Sequence, residues 1–353
     1  MTPGAPPPRC HACAKRAKRP KRNATLGLLA LAATVVPACR RGEPSPQTRE
    51  TRDFIAVVGA GRTDPLWPAL SATAARLRGR LGKYDLRIDA PPFVSVNAQL
   101  HLVRRLDREH AKALCIQVID PPATRPLIES LRARGLAVVT MVRPVHAPDP
   151  FNHFGWSEQA IGKRMADALA DALPAGGDVA VIVPSANGDD GLNQRRAMLR
   201  RGLADHANLR VVYECACAQP DAARRHIADA PRRFPTLSAW AAIAPWPITG
   251  TTGDVAELRA APLIVTAHPL PPTWPAFDAG VNIIAVAPAY EQIAPAAVHA
   301  AYAALLSANT TPGRVDVPLR VIDLKSYASF RRDWAHWATA PTPPRNTPET
   351  PDP

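Results

Sequence analysis

Short continuous runs of Val, Ile, Leu and Ala alternate with stretches of helical spacing along most of this chain, and the alternation begins afresh near residue 150. That pattern admits few folds. An apolar run without polar alternation is a strand buried on both faces, and such strands lie in parallel sheets covered by helices. The first run, 54–58, is bounded by Gly59 and Gly61. A helix over 65–81 follows, with Leu66, Leu70, Ala74, Leu77 and Leu81 on one side, then a strand at 86–88 and a helix over 97–110. Strands at 113–116 and 137–141 flank a helix at 126–134. The second half repeats the theme: helices over 157–172, 191–206, 222–230 and 290–307, strands at 179–183, 209–213, 237–243, 263–266 and 282–286, and an extended piece at 315–324. The reading is α/β, with two similar parallel-sheet, Rossmann-like lobes and no long linker between them. A length of 353 residues accommodates two such lobes. Aromatic residues are only 5% of the chain, so the cores are built of small and aliphatic side chains. Residues 331–353 decay into Pro and Thr and read as a disordered tail.

The amino terminus reads as an address. Arg9, Lys15, Arg16, Lys18, Arg19, Lys21 and Arg22 precede an uncharged stretch, 24–36, too short to cross a bilayer core. Basic first, apolar next and small residues last is the layout of an export signal. The segment closes on Val36-Pro37-Ala38-Cys39, similar to a bacterial lipobox, so residues 1–39 are expected to be a lipoprotein signal peptide with lipidation at Cys39. Residues 40–52, polar and Pro-containing, suit a flexible tether. The expected location is the periplasm or cell envelope, at the membrane through the lipid.

About half of the formal charge of +13 lies in that leader. The remaining Arg residues are interspersed with Asp and Glu, as on solvated helix faces, so no nucleic-acid partner is expected. Cys10-His11-Ala12-Cys13 precedes the export signal and has no second ligand pair, so no metal site is assigned. Cys115 lies in an apolar run, and Cys215 and Cys217 share one face of a strand end, where the sequence leaves free thiols, a disulfide and a metal pair open. Gly59-Ala60-Gly61 invites a dinucleotide-binding reading, but the third Gly of that fingerprint falls on Asp64. No nucleophile elbow, zinc-binding helix or carboxylate pair stands out. The chain is therefore read as a binding protein without cofactor, and not as an enzyme.

Four sequence words carry a family resemblance. Asp64-Pro65-Leu66-Trp67 after the first strand, Ala137 to Arg143 at the fourth, His153 to Gly162 at the turn into the second half, and Gln194 to Leu199 in the basic helix are similar in order and spacing to type I periplasmic binding proteins of the ribose and galactose class. The resemblance runs from about residue 53 to 324. It implies two lobes joined by a multi-strand hinge: lobe 1 from 53–154 and 287–316, lobe 2 from 155–286, and a final crossover at 317–330. It also implies a ligand in the cleft between them. By position, Asp64 accepts from ligand hydroxyls, Trp67 stacks on a flat ligand face, and Gln117, Arg143 and Arg195 supply the planar polar groups. The family's Asp before the strand-end Arg is Val142 here, its Asn-Asp word is Ala244-Pro245, a further Asp falls near His268, and a Gln falls near Val286. These changes imply a cleft poorer in carboxylates, with Trp156, Trp240 and Trp246 as extra walls, suited to a more apolar or anionic ligand. The implied function is capture of a sugar or sugar-like solute for an ABC importer, with an ABC permease as partner. The alternative is a non-transport sensor or envelope interaction protein with the same fold and a degenerate cleft, with a membrane sensor as partner.

Overall fold

The computed structural model describes residues 53–145, 152–185, 189–307 and 313–340. The export signal with Cys39, the tether at 40–52 and the last part of the tail, 341–353, lie outside the described residues.

In lobe 1, β1 (Phe54–Val58), α1 (Trp67–Ala75), β2 (Asp85–Asp89), α2 (Val96–Arg108), β3 (Ala113–Gln117), α3 (Pro121–Ala133), β4 (Ala137–Val142) and β5 (Asn152–Gly155) alternate. Lobe 2 repeats the theme with α4 (Glu158–Ala172), β6 (Gly177–Pro184), α5 (Asp190–Ala204), β7 (Leu209–Cys217), α6 (Pro220–Arg233), β8 (Leu237–Ala242), α7 (Thr252–Val255), β9 (Leu263–Ala267), α8 (Trp274–Asp278) and β10 (Ile283–Pro288). The chain ends with α9 (Tyr290–Leu306), β11 (Arg314–Asp316), β12 (Leu319–Ile322) and α10 (Tyr327–Ala338).

Among the described residues two six-stranded sheets result, ordered β11-β5-β4-β3-β1-β2 and β12-β10-β9-β8-β6-β7. Every pairing is parallel except that of β12 with β10. The chain passes between the sheets three times, after β5, after β10 and between β11 and β12.

The strands form where the apolar runs are continuous: every residue of β1, β3 and β9 is buried. On β1 the faces divide. Phe54, Ala56 and Val58 share a cluster with Leu102, Val103 and Leu106 of α2 and with Ile128 and Leu131 of α3. Ile55 and Val57 face an apolar cluster that continues into lobe 2. Helix starts are set by side chains that accept from otherwise unpaired backbone N–H groups: Ser95, Asp120, Ser157 and Asp189 each cap a helix this way.

Helices α4 and α5 lie close enough that Gly162 is required. A methyl group there would collide with the carbonyl oxygen of Arg195. Gly162→Ala is therefore expected to cost about 2 kcal/mol, as overpacking does. It should lower the denaturation midpoint at an unchanged slope.

Where the composition suggests that order ends at residue 330, the structure carries α10 to Ala338, with Tyr327, Phe330 and Trp334 buried along one side. Those positions, three and four apart, make an amphipathic helix whose outer face carries Arg332 and Asp333. Helix α1 also stops at Ala75, short of the expected 81, and α3 starts five residues earlier than expected, where Asp120 caps it.

Candidate functional site

The carboxyl ends of the parallel strands, where α/β sheets place ligands, meet between the two lobes. Arg143, just past β4, donates from Nη2 to Oδ2 of Asp189, the cap of α5, at 2.8 Å. This ion pair crosses from one lobe to the other. Arg143 is 47% exposed and Asp189 30%, so the pair lies in the solvent-accessible part of the cleft.

Arg143 reaches that place through a sharp turn. Its N–H donates to the Met141 carbonyl at 2.9 Å, and Val142 between them has φ +72°. A β-branched residue in the left-handed region is strained by about 1–3 kcal/mol, and such strain is held where the surrounding structure demands it. His268, which follows β9, the fourth strand of lobe 2, has φ +59°. The fourth strand of each lobe thus leaves its sheet through a left-handed residue at the cleft.

Lobe 2 holds a polar cluster behind the ion pair. Arg195 is only 2% exposed. Its Nε donates to Glu158 Oε2 at 2.8 Å, Nη2 donates to the same carboxylate, and Nη1 donates to the Ile243 carbonyl at 2.7 Å. Nη2 also lies 3.0 Å from His268 Nε2. Because a guanidinium only donates, Nε2 accepts, and the imidazole proton belongs on Nδ1, which faces the Tyr290 hydroxyl at 2.9 Å. That assignment follows from the network. Trp156 closes the cluster: its indole N–H donates to Glu158 Oε1 at 3.0 Å, and its ring packs on His268 with centroids 4.9 Å apart.

The ring of His268 keeps some exposed surface, but dense packing surrounds it. Burial first, then the charges of Arg195 and Arg143, hold its pKa well below the ordinary 6.5. Burial likewise holds the Tyr290 hydroxyl well above its ordinary value. His268 is therefore neutral in the folded chain, whereas an unfolded chain takes up a proton there as pH falls through 6.5. Stability present above that pH is lost below it. The melting temperature should fall between about pH 7.5 and about pH 5.5, and His268→Asn, which tolerates the left-handed backbone, should flatten that fall. Equal slopes in the two proteins would contradict the assignment.

In lobe 1, adjacent strands β1, β3 and β4 bring the remaining expected residues to one sheet edge. Asp64 Oδ1 accepts from the Leu66 N–H at 2.8 Å. Its carboxyl pKa is raised, chiefly by burial, against the pull of hydrogen bonds from Leu66, Gln117 and Trp67. Gln117 is 3% exposed, and its Oε1 accepts from the Ala60 N–H at 3.0 Å. Gln99 donates to the carbonyls of both Gly59 and Gln117. Gln117 thus fastens the loop after β1. The Trp67 ring lies against Gly59, where a Cβ would overlap it, and is 9% exposed.

Of the five residues singled out in the sequence, Arg143 has the most exposed surface. Gln117, Trp67 and Arg195 are packed into the walls, and Asp64 is partly buried. Trp240 is fully buried in the core of lobe 2 and is not a cleft wall, because β8 is a central strand. Trp246, just past β8 at the carboxyl edge, is partly buried, and its indole N–H is itself buried and without a hydrogen-bond partner among the described residues. Sequence reasoning missed Glu158, Asp189 and Tyr290. Glu158 lies within one of the four words, but its partner stands 37 residues along the chain.

The resemblance implies a cleft poorer in carboxylates than the family's and suited to a more apolar or anionic ligand. Glu158 and Asp189 supply carboxylates from lobe 2, and each arginine is matched by one of them. A cavity of about 580 Å³ at the far end of lobe 2, lined by Leu237, Leu263 and Asn282, gathers no charged side chain. Among the described residues no group of three or more His, Cys, Asp or Glu could hold a metal ion, and Cys115, Cys215 and Cys217 are free thiols.

A family model described as a periplasmic binding protein domain matches residues 55–309. No curated protein matches the chain. Among solved structures, an arabinose-binding protein from Geobacillus stearothermophilus is similar at 17% identity and a TM-score of 0.68, covering 79% of this chain and 99% of its own. An ABC transporter solute-binding protein from Burkholderia graminis in complex with D-arabinose is 17% identical, with a TM-score of 0.64 and coverage of 78% and 97%. One from Actinobacillus succinogenes with bound D-allose is 16% identical, with a TM-score of 0.65 and coverage of 79% and 100%.

Proposed function

Because the chain belongs to the periplasmic binding protein domain family, we propose that it captures a small, neutral, polyhydroxylated solute of the sugar class between its lobes and presents it to an ABC importer. The observation that carries the choice of a neutral solute is the charge balance of the cleft. Arg143 faces Asp189, and Arg195 faces Glu158, so neither cation is free to neutralise an anion. A hydroxyl donates and accepts, and an ion pair offers N–H donors and oxygen acceptors side by side. Trp156 adds an apolar ring.

In this reading Arg143 and Asp189 touch the ligand from opposite lobes, so the ligand bridges them as the cleft closes. Asp64 supplies a further acceptor, and Trp67, Gln117 and Arg195 shape and fix the walls. The D-arabinose and D-allose bound by two of the similar structures, and the arabinose-binding protein among them, support the same class. Family membership implies an extracytoplasmic location, and the leader with Cys39 would supply a lipid anchor beside the permease. No chemical step is assigned to the cleft.

Thermal unfolding with neutral pentoses, hexoses and polyols, set beside sugar phosphates and small acids, tests this reading. A ligand at a hundred times its dissociation constant stabilises by about 2.7 kcal/mol. The expected result is a shift with a neutral sugar and none with its phosphate. A shift confined to anions would contradict it.

A further inference from the structure

The carboxyl-terminal helix α10 lies beyond the residues matched by the family, 55–309, and it touches both lobes. Its first turns grip lobe 2. The Tyr327 ring stacks on Phe277 with centroids 4.6 Å apart and planes at 14°, and its hydroxyl donates to Asp278 Oδ1 at 3.1 Å. Arg331 Nη1 donates to both oxygens of Asp278, at 2.9 and 3.0 Å, while its guanidinium lies 5.1 Å from the Trp274 ring centre. These partners belong to α8, between β9 and β10 of the second sheet.

Its last turns grip lobe 1. The helix packs along α1, and Arg76 at the end of α1 donates to the His336 carbonyl. Between the grips, Trp334, 3% exposed, meets Trp274 of lobe 2 edge-on at 6.3 Å and Tyr290, the first residue of α9, at 5.7 Å. Helix α9 packs on the first sheet, and Tyr290 holds His268 in the cleft. A twelve-residue helix is about 18 Å long, so one rigid rod links α8, the crossing after β10, and α1.

Opening a two-lobed cleft rotates one lobe relative to the other about the crossing strands. A rod fastened to both cannot follow both, so one set of contacts must break. We infer that α10 is a brace across the lobes that holds them closed and sets how far the cleft opens. The inference rests on the two-lobed binding reading for its purpose but not for its test, which needs no ligand.

The test is the distance between a donor and an acceptor dye placed, through encoded non-natural residues in the full chain, at exposed Phe93 and Asn193, beside the carboxyl edges of the two sheets. With Tyr327→Ala and Arg331→Ala combined, the distance distribution should shift to longer values in the absence of sugar. Arg332→Ala, on the outer face, should leave it unchanged. Asp278→Asn attacks the same contacts from a half-exposed position on lobe 2 and should give the same direction of shift whether or not the double variant folds. A wild-type distribution in Asp278→Asn and in a folded double variant overturns the brace. If that occurs while sugar binding persists, the brace alone fails. A longer distance without binding of any sugar leaves the brace and removes the transport reading.

Discussion

Arg195→Ala should lower the melting temperature by about 10 °C. The side chain is 2% exposed and donates to Glu158, to the Ile243 carbonyl and toward His268. Its removal leaves the Glu158 carboxylate with the Trp156 N–H but no cation, the Ile243 carbonyl without its guanidinium donor, and His268 without the donor that fixes its tautomer. Breaking one side of a buried pair costs about 3–5 kcal/mol. For a domain of this size each kcal/mol moves the melting temperature by roughly 2–4 °C. Arg195→Lys should recover only a fraction, because an ammonium cannot reach three partners arranged around a planar fork. A melting temperature within about 2 °C of wild type for Arg195→Ala would contradict the buried role.

Arg143→Ala should behave in the opposite manner. Its pair with Asp189 is 47% and 30% exposed, and exposed pairs contribute about 0–1 kcal/mol to stability. The melting temperature should therefore move little. Sugar affinity should fall about thirtyfold, which corresponds to roughly 2 kcal/mol, the usual worth of hydrogen bonds from a charged donor. Calorimetric titration of both proteins with the sugar that gives the thermal shift reads this directly. The two substitutions together separate an arginine that shapes the wall from one that touches solute. Both belong to sequence words of equal apparent weight, and burial alone tells them apart.

That difference marks where the sequence stops being informative. Strands β1, β3, β6, β9 and β10 were legible because a buried parallel strand needs an unbroken apolar run. The family resemblance then singled out Asp64, Gln117 and Arg143 in the segments that follow or end those strands. Helices α7 and α8, four and five residues long, are too short to show a period. Helix α10 was hidden by charge: Arg331, Arg332 and Asp333 dilute a stripe made of Tyr327, Phe330 and Trp334, and the stripe leads into a Pro-rich end. The left-handed Val142 was illegible for another reason. Nothing in a β-branched residue announces positive φ, and the turn it makes is what leads the chain to Arg143. Pairings such as Glu158 with Arg195 depend on tertiary approach across the α4–α5 contact. The close packing at Gly162 shows how near those helices come.

The central claim is that a neutral sugar enters the cleft between the lobes, and the seven tryptophans offer a map of where it goes. The most direct measurement is a titration of indole ¹⁵N-labelled protein with a neutral aldose, followed by the indole N–H resonances. Trp156 and Trp246 stand at the carboxyl edges of the strands, while Trp240 is sealed in the core of lobe 2. The account predicts saturable shifts at Trp156 and Trp246 with Trp240 unmoved. No shift with any neutral aldose, or shifts at Trp240 without movement of Trp156 and Trp246, would contradict it.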